Sequence, residues 1–230
     1  DALASRRTLF GQTYGQLANA TRAAFLSREQ GWRVYFVGEG GQDVGGLFRE
    51  QLDELCREMQ STSSLQLFVL SANGQHSIGD GRETWLPRAS ANSTLQLDMF
   101  EFVGRLIGVA LRTNNHLNFD LASIVYKFLV DERTNVGDLR AVDAMTVQSL
   151  EALRTIDQQG VTDDSFEDVF TETFTTNASD GGEVELVPGG KQKRVTAANR
   201  LQFADLVERF RLRESWQQLL AIRRGLAFVV

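Results

Sequence analysis

Residues 95–113, LQLDMFEFVGRLIGVALRT, form a helical pattern that is apolar around almost its whole circumference. Apolar residues recur at spacings of three and four, so we predict a helix in the middle of a domain. Gly104 and Gly108 lie one turn apart and would let a neighbouring backbone come close, which compensates for the roughly 1 kcal/mol that each costs inside a helix. Glu101 and Arg105 interrupt the run, which is shorter than the roughly 20 apolar residues of a membrane crossing. The sequence therefore predicts a soluble core helix and no membrane partner.

The composition is that of an ordinary globular protein. The chain has 230 residues, 42% of them apolar and 23% charged, enough for one large domain or two coupled subdomains. A formal charge of -6 argues against nucleic acid and predicts that any charged partner is basic. The single cysteine, Cys56, cannot form an internal disulfide, and no signal peptide is recognisable, which favours a cytoplasmic or nuclear setting. The start at Asp1 rather than Met suggests a piece of a longer protein.

The other predicted elements alternate between helices and short strands. Residues 32–37, WRVYFV, are a β-prone run that ends in a glycine-rich turn, and Asp43 is placed to cap a helix beginning near Val44. The remaining predictions are one or two helices within 3–27, a strand at 67–70 entering an Asn73-Gly74 turn, an extended piece at 85–86, helices at 120–130 and 147–156, strands at 170–174, 184–187 and 193–196, a helix capped by Thr196, and a last helix at 214–229.

No set of residues in the sequence points to an active site. The turn GEGGQDVGG contains neither GxxxxGK[ST] nor GxGxxG, and its acidic residues would repel phosphate, so we interpret its glycines as conformational. His76 and His116 lack the companions of a metal site or a catalytic triad. Cys56 lies on the apolar stripe of its helix, where thiols are usually inert. The sequence predicts no cofactor, no metal site and no catalytic residue in this chain.

Four segments match a known family in order and spacing. They are VYFVGEGGQDVGGLFREQLDELCREM, MFEFVGRLIGVALRTNNHLNFDLASIVYKFL, RVTAANRLQFADLVERFRL and LLAIRRGLAFVV. Together they closely resemble the N-terminal lobe of HECT-type ubiquitin ligases, most of all the large HERC-type members. The resemblance implies an α+β, mostly helical fold. Its parts would be a large helical subdomain at 1–133, a smaller α/β E2-binding subdomain at 134–205, and helices at 206–230 that return to the large subdomain.

The same resemblance implies a role in ubiquitin transfer. In the family this lobe docks a ubiquitin-charged conjugating enzyme, or E2, and a second lobe, the C-lobe, takes ubiquitin onto a cysteine before a substrate lysine accepts it. That cysteine belongs to a Thr-Cys-Phe-like motif that this sequence lacks, and Cys56 does not match it. We expect ubiquitin-protein transferase activity of the full-length protein and none of this chain alone. The implied partners are an E2, ubiquitin and the missing C-lobe, and the alternative is a non-catalytic scaffold derived from a HECT domain.

The resemblance also marks an apolar groove for an E2 loop in the small subdomain. The E2-binding positions that it implies are Thr146, Leu150, Leu153, Ile156, Phe166 or Val169, Phe203 and Val207. The leucines and the isoleucine share one helical face, and the last two residues form an i, i+4 pair, so such a groove is physically coherent. The alternative is that these side chains pack the core of the small subdomain.

Overall fold

The computed structural model describes residues 7–35, 38, 45–61 and 65–230. The described chain is mostly helical with four short strands, which confirms the predicted α+β class. Its α-helices are α1 (Leu9–Leu17), α2 (Gly46–Met59), α3 (Ala72–His76), α4 (Thr94–Thr113), α5 (Ser123–Leu129), α6 (Val136–Arg140), α7 (Ala144–Arg154), α8 (Phe166–Val169), α9 (Arg200–Arg211) and α10 (Trp216–Val229). Its strands are β1 (Phe68–Leu70), β2 (Trp85–Pro87), β3 (Thr175–Asn177) and β4 (Glu183–Glu185), and single 3-10 turns lie at Arg22–Phe25, Ile156–Gln159 and Gly190–Gln192.

Backbone contacts divide the chain into two compact units. Unit 1 consists of residues 1–69, 91–121 and 216–230, and unit 2 of residues 70–90 and 122–215. Each unit is therefore assembled from segments that are distant in sequence. The subdomain limits implied by the resemblance, at 1–133, 134–205 and 206–230, stay a prediction.

Helix α4 lies in the core of unit 1 and corresponds to the helix predicted at 95–113. Ser93 begins it with a capping box, in which its side chain accepts from the N–H of Gln96 and the Gln96 side chain accepts from the N–H of Ser93. Asn114 ends the helix in the left-handed conformation, which asparagine tolerates better than most residues. The ends of this helix are thus specified locally, by residues that the sequence itself displays.

Helices α4 and α10 pack closely within unit 1, and three glycines make that packing possible. A Cβ added at Gly104 would lie 1.9 Å from the carbonyl oxygen of Ile222, and one added at Gly225 would lie 1.7 Å from that of Glu101. A Cβ at Gly108 would lie 2.6 Å from a side-chain carbon of α10. The prediction that a neighbouring backbone comes close is confirmed at Gly104, whereas Gly108 makes room for the side chain of Val229.

In unit 2, helices α7 and α9 pack against each other and are joined by charged groups. The Asp143 carboxylate caps α7 by accepting from the N–H of Thr146 at 3.0 Å. The same carboxylate lies 2.9 Å from Arg211, in the last turn of α9. At the opposite end of α7, Arg154 lies 2.8 Å from Glu208 on α9.

Strands β3 and β4 form an antiparallel ladder in unit 2. Thr175 faces Glu185 and Asn177 faces Glu183. The strand predicted at 184–187 is therefore partly correct, because the observed strand begins one residue earlier and ends two residues earlier.

Two other strand predictions in unit 2 are wrong. Residues 170–174 and 193–196 are joined only by one isolated bridge and form no named strand. The N–H of Phe174 donates to two carbonyl oxygens, that of Lys193 at 2.9 Å and that of Gly190 at 3.1 Å in the turn region after β4. A Cβ at Gly190 would lie 2.3 Å from the Phe174 carbonyl oxygen, so this close approach depends on glycine.

The first predicted strand and the helix after it are described only in part. Residues 32–35 form no strand, contrary to the prediction, and 36–37 lie outside the described residues. The proposed cap Asp43 and the helix start near Val44 also lie outside them. Helix α2 is described from its first turn onward, with Gly45 preceding it at a φ of 97°.

The predicted turn at Asn73-Gly74 is wrong, because these residues lie in the short helix α3. The Ser71 side chain caps this helix by accepting from the N–H of Gly74 at 3.1 Å. The buried Asn73 amide donates to the carbonyl oxygen of Arg140 at 3.0 Å and accepts from the N–H of Ala144 at 2.7 Å. Tertiary hydrogen bonds within unit 2 therefore replace the hairpin turn that the dipeptide favours.

The predicted helix boundaries differ from the observed ones by a few residues, and one predicted N-cap residue is wrong. The helices predicted at 120–130, 147–156 and 214–229 are observed as α5, α7 and α10. The proposed cap Thr196 is wrong, since Asn199 occupies the N-cap of α9. The Asn199 side chain accepts from the N–H of Thr196 at 2.8 Å and so orders the turn before the helix.

Candidate functional site

The residues predicted to form an apolar groove come together in one core cluster of unit 2. The buried members of that cluster are Leu150, Leu153, Phe166, Phe174, Val195, Phe203, Ala204 and Val207. Five of them are predicted groove positions. Of the remaining predicted positions, Thr146 and Ile156 are half-buried and Val169 is exposed. The fold thus unites the predicted set except for Thr146 and Val169, which are not part of the cluster. It places most of the united side chains in the core, and their contact with an E2 stays a prediction.

Aromatic rings hold this cluster together. The ring of Phe203, on α9, lies edge-on to that of Phe174 with the centroids 5.6 Å apart. Phe170 lies 6.0 Å from Phe203 and 5.6 Å from Phe166. Such pairs contribute about 0.5–1.5 kcal/mol each beyond the area they bury. The chain around Phe166 and Phe170 is therefore anchored to α9 although it contains little regular structure.

Four apolar side chains remain at least partly accessible on the segment 156–172. Ile156, Val161 and Phe170 are partly buried and pack against the core cluster. Val169 is 61% exposed at the end of α8, whose first residue, Phe166, is fully buried. We call Ile156, Val161, Val169 and Phe170 the apolar face. Three of these residues pack against the core cluster, and Val169 shares α8 with the buried Phe166.

Acidic side chains are interspersed with the apolar face along the same segment. They are Asp157, Asp163, Asp164, Glu167, Asp168 and Glu172, all of them exposed or in exposed ion pairs. Asp157 lies 3.4 Å from Arg200, and Glu167 lies 3.9 Å from Arg194. The other four form no ion pair with any described residue. We call these six carboxylates the acidic rim, and four of them are not compensated by a described cation.

A buried charge cluster, which sequence reasoning missed, ties α9 to its surroundings in unit 2. The Arg211 guanidinium lies 2.9 Å from the Asp143 carboxylate and 3.5 Å from that of Glu214. It also donates to the carbonyl oxygen of Asn177 at 3.3 Å. The Glu214 carboxylate accepts from the N–H of Ser179 at 2.9 Å. Burial raises the pKa of Glu214, and the Arg211 charge only partly opposes that shift. No periodicity in the sequence marks these residues as partners.

A comparison with protein families decides the identity of the fold. The family model described as HECT-domain (ubiquitin-transferase) matches residues 53–230 of the chain. The chain belongs to the HECT-domain family. The resemblance inferred from the sequence motifs is confirmed, and the HECT match includes the whole apolar face, its acidic rim and the cluster beneath them.

Several HECT relatives align along almost the whole chain. It is 30% identical over 224 residues to E3 ubiquitin-protein ligase HERC2 of Mus musculus, an alignment covering 97% of this chain and 4% of that protein. It is 30% identical over 224 residues to E3 ubiquitin-protein ligase Smurf1 of Drosophila melanogaster, covering 96% and 20%. It is 27% identical over 217 residues to E3 ubiquitin-protein ligase TOM1 of Saccharomyces cerevisiae, covering 93% and 6%. The HECT chain therefore spans a fifth or less of the length of these relatives.

The described residues of this HECT chain form no candidate metal centre. No group of three or more His, Cys, Asp or Glu side chains in the described ranges is arranged to hold a metal ion. No described helix combines the length and the apolar character needed to cross a membrane. Cys56 is 1% exposed and lies in an apolar space together with Met59, Val103 and Leu106. Burial raises the pKa of its thiol to about 12.

We expect Cys56 to be unreactive in the folded HECT chain. Attack on a thiol reagent requires the thiolate, which burial in an apolar space disfavours, and the sulfur is inaccessible. Alkylation by iodoacetamide at pH 8 should be at least about 100-fold slower in the native chain than in urea, since it requires opening of the fold. Mass spectrometry of quenched samples gives both rates, with the urea-unfolded chain as control. Native labelling at the unfolded rate would contradict the packed position of α2.

Proposed function

We propose that this chain is the E2-docking lobe of a HECT-type E3 ubiquitin-protein ligase. The observation that supports the proposal is the apolar face, which leaves Val169 exposed on a segment otherwise anchored in a core. It lies in the region where the resemblance implies an E2-binding groove. Protein interfaces of this kind combine an apolar centre with a polar rim, and a small one gives a transient complex. We assign residues 134–205 to the docking subdomain on the same basis.

In the proposed reaction this lobe positions the ubiquitin-charged E2 and supplies no reactive group of its own. A ubiquitin-charged E2 docks on the apolar face, and the cysteine thiolate of a C-lobe attacks the carbonyl carbon of the E2–ubiquitin thioester. The E2 thiolate leaves. The amine of a substrate lysine then attacks the carbonyl carbon of the new thioester, the C–S bond breaks to release the C-lobe thiolate, and the amine loses a proton to leave an amide. Holding the two thiol groups in one complex makes the first transfer effectively intramolecular. We propose E2, ubiquitin and the C-lobe as partners, in a cytoplasmic or nuclear setting.

The E2-docking role is tested by substituting the exposed residue of the apolar face. Val169→Ser removes an accessible apolar group, so the Kd for a binding E2 should rise about tenfold, as expected for loss of an interface contact worth more than 1 kcal/mol. Biolayer interferometry of the chain against a panel of E2 enzymes provides the measurement. The matched control is Val130→Ser, also in unit 2, where the valine is 72% exposed but lies outside the apolar face. This control should leave the Kd unchanged.

Two results would count against this assignment. Equal weakening by Val169→Ser and Val130→Ser would show that the apolar face is not the contact. Absence of binding to every E2 in the panel, by a chain whose circular dichroism shows it folded, would favour the alternative of a non-catalytic scaffold.

A further inference from the structure

The acidic rim of the apolar face belongs to a long stretch of the chain without positive charge. Residues 155–190 contain nine Asp or Glu and no Lys or Arg. Six of these acidic residues are within 156–172, the segment that also supplies the apolar face. A partner that covers the face must therefore approach through a region of negative potential.

The structure leaves most of this rim uncompensated. Asp163 and Asp164 precede α8, Asp168 lies beside the exposed Val169, and Glu172 follows Phe170. These four carboxylates are exposed and form no ion pair with any described residue. Of the nearby basic residues, Arg154 pairs with Asp205 and Glu208 on α9, Arg200 lies 3.4 Å from Asp157, and Arg194 lies 3.9 Å from Glu167.

We propose that the apolar face selects, among E2 enzymes, those that present lysine and arginine side chains around an apolar tip. This inference rests on the proposed function, because it specifies the chemistry of the partner for the same face. The apolar side chains contact the E2, and the carboxylates favour E2 enzymes with basic docking surfaces over those with acidic ones. An E2 with an acidic docking surface is repelled before contact, because like charges brought together in an interface oppose binding.

Because the rim carboxylates are exposed, we expect them to affect the association rate constant of the E2 more than its dissociation rate constant. Exposed ion pairs add little to the stability of a formed complex, because water and salt screen them. They act over longer distances during approach, where a charged surface raises the association rate of an oppositely charged partner. The signature of the rim is therefore a fast, salt-sensitive kon, while koff depends mainly on the apolar contact.

The experiment compares two quadruple variants with the same change in net charge. The rim variant is D163N/D164N/D168N/E172Q. The control variant is E29Q/E50Q/E83Q/D98N, which neutralises four exposed carboxylates outside the segment 156–172. Stopped-flow kinetics with an E2 whose docking surface is basic, between 20 and 300 mM salt, should show kon of the rim variant lowered about tenfold at low salt. Its salt dependence should be flattened and its koff unchanged within about twofold, while the control should retain most of the wild-type rate.

The outcomes separate this inference from the function on which it rests. If the E2 binds all three chains with the same kon and salt dependence, charge selection is overturned and the docking role stands. If both quadruple variants lose kon equally, the effect comes from total charge and the rim has no special part. If no E2 binds the wild-type chain even at 20 mM salt, the docking role fails, and the charge selection fails with it. An E2 with an acidic docking surface should bind the rim variant faster than wild type.

Discussion

Gly104→Ala and Gly225→Ala should each cost at least about 3 kcal/mol of folding free energy, the upper range for overpacking a core. A Cβ at Gly104 would lie 1.9 Å from the carbonyl oxygen of Ile222, and a Cβ at Gly225 would lie 1.7 Å from that of Glu101. Both obstacles are backbone atoms, so no rotamer change can relieve them. The helices α4 and α10 must separate, which opens the core of unit 1. Urea denaturation followed by circular dichroism measures the loss.

Gly15→Ala is the matched control, because Gly15 lies within α1 and a Cβ there would meet no atom within 4 Å. Removing a helical glycine without a clash should raise stability by about 0.5–1 kcal/mol. Replacing glycine by alanine should thus lower the stability of the chain in α4 and raise it in α1. Wild-type stability of Gly104→Ala would show that α4 and α10 do not touch as described.

Arg211→Met should destabilise unit 2 by about 3–5 kcal/mol, the usual cost of removing one partner from a buried ion pair. Methionine retains much of the side-chain volume but leaves the carboxylates of Asp143 and Glu214 without their cation. Asp143 also caps α7, so the loss extends to the contact between α7 and α9. Thermal and urea unfolding give the size of the effect. Arg209→Met, an exposed arginine on the same helix, should change stability by less than about 0.5 kcal/mol.

The cost of Arg211→Met should depend on pH through Glu214. Burial raises the pKa of Glu214 in the folded chain, so its contribution favours folding most below the unfolded pKa of about 4.3 and is lost as the pH rises through the folded pKa. Without Arg211 the folded pKa rises further, and the variant should lose more stability between pH 5 and pH 8 than wild type does. Adding Glu214→Gln should reduce this dependence. A loss independent of pH and of Glu214→Gln would show that packing, not charge, is the cause.

Among the predicted E2-binding positions, the buried residues support the fold and the exposed residue is available for contact with a partner. Phe203 and Val207 were predicted to contact a partner, yet both belong to the buried cluster, where they fix the chain around Phe166. Substituting them would disturb the core and docking together. Val169 is the position where binding is tested with the least effect on folding, because its side chain already faces solvent.

The helices of this HECT domain were largely predictable because their signals are local. The apolar residues at 95–113 repeat with the helical period. Ser93 and Gln96 form a capping box that sets where helix α4 begins. The ordered motifs likewise identified the family. Short strands were less predictable, since three residues such as those of β3 carry little periodic signal and depend on a partner strand for their hydrogen bonds.

The sequence by itself thus determined the helical framework, the family and a set of candidate groove residues, most of which gather in one cluster of unit 2. Tertiary structure decided which members of that set are buried, because burial depends on contacts between segments far apart in the chain, such as Phe174 with Phe203. It also decided that Asn73 would bridge to Arg140 and Ala144 instead of forming a turn. Side-chain hydrogen bonds and ion pairs over such separations leave no periodic trace, so only the folded chain reveals them.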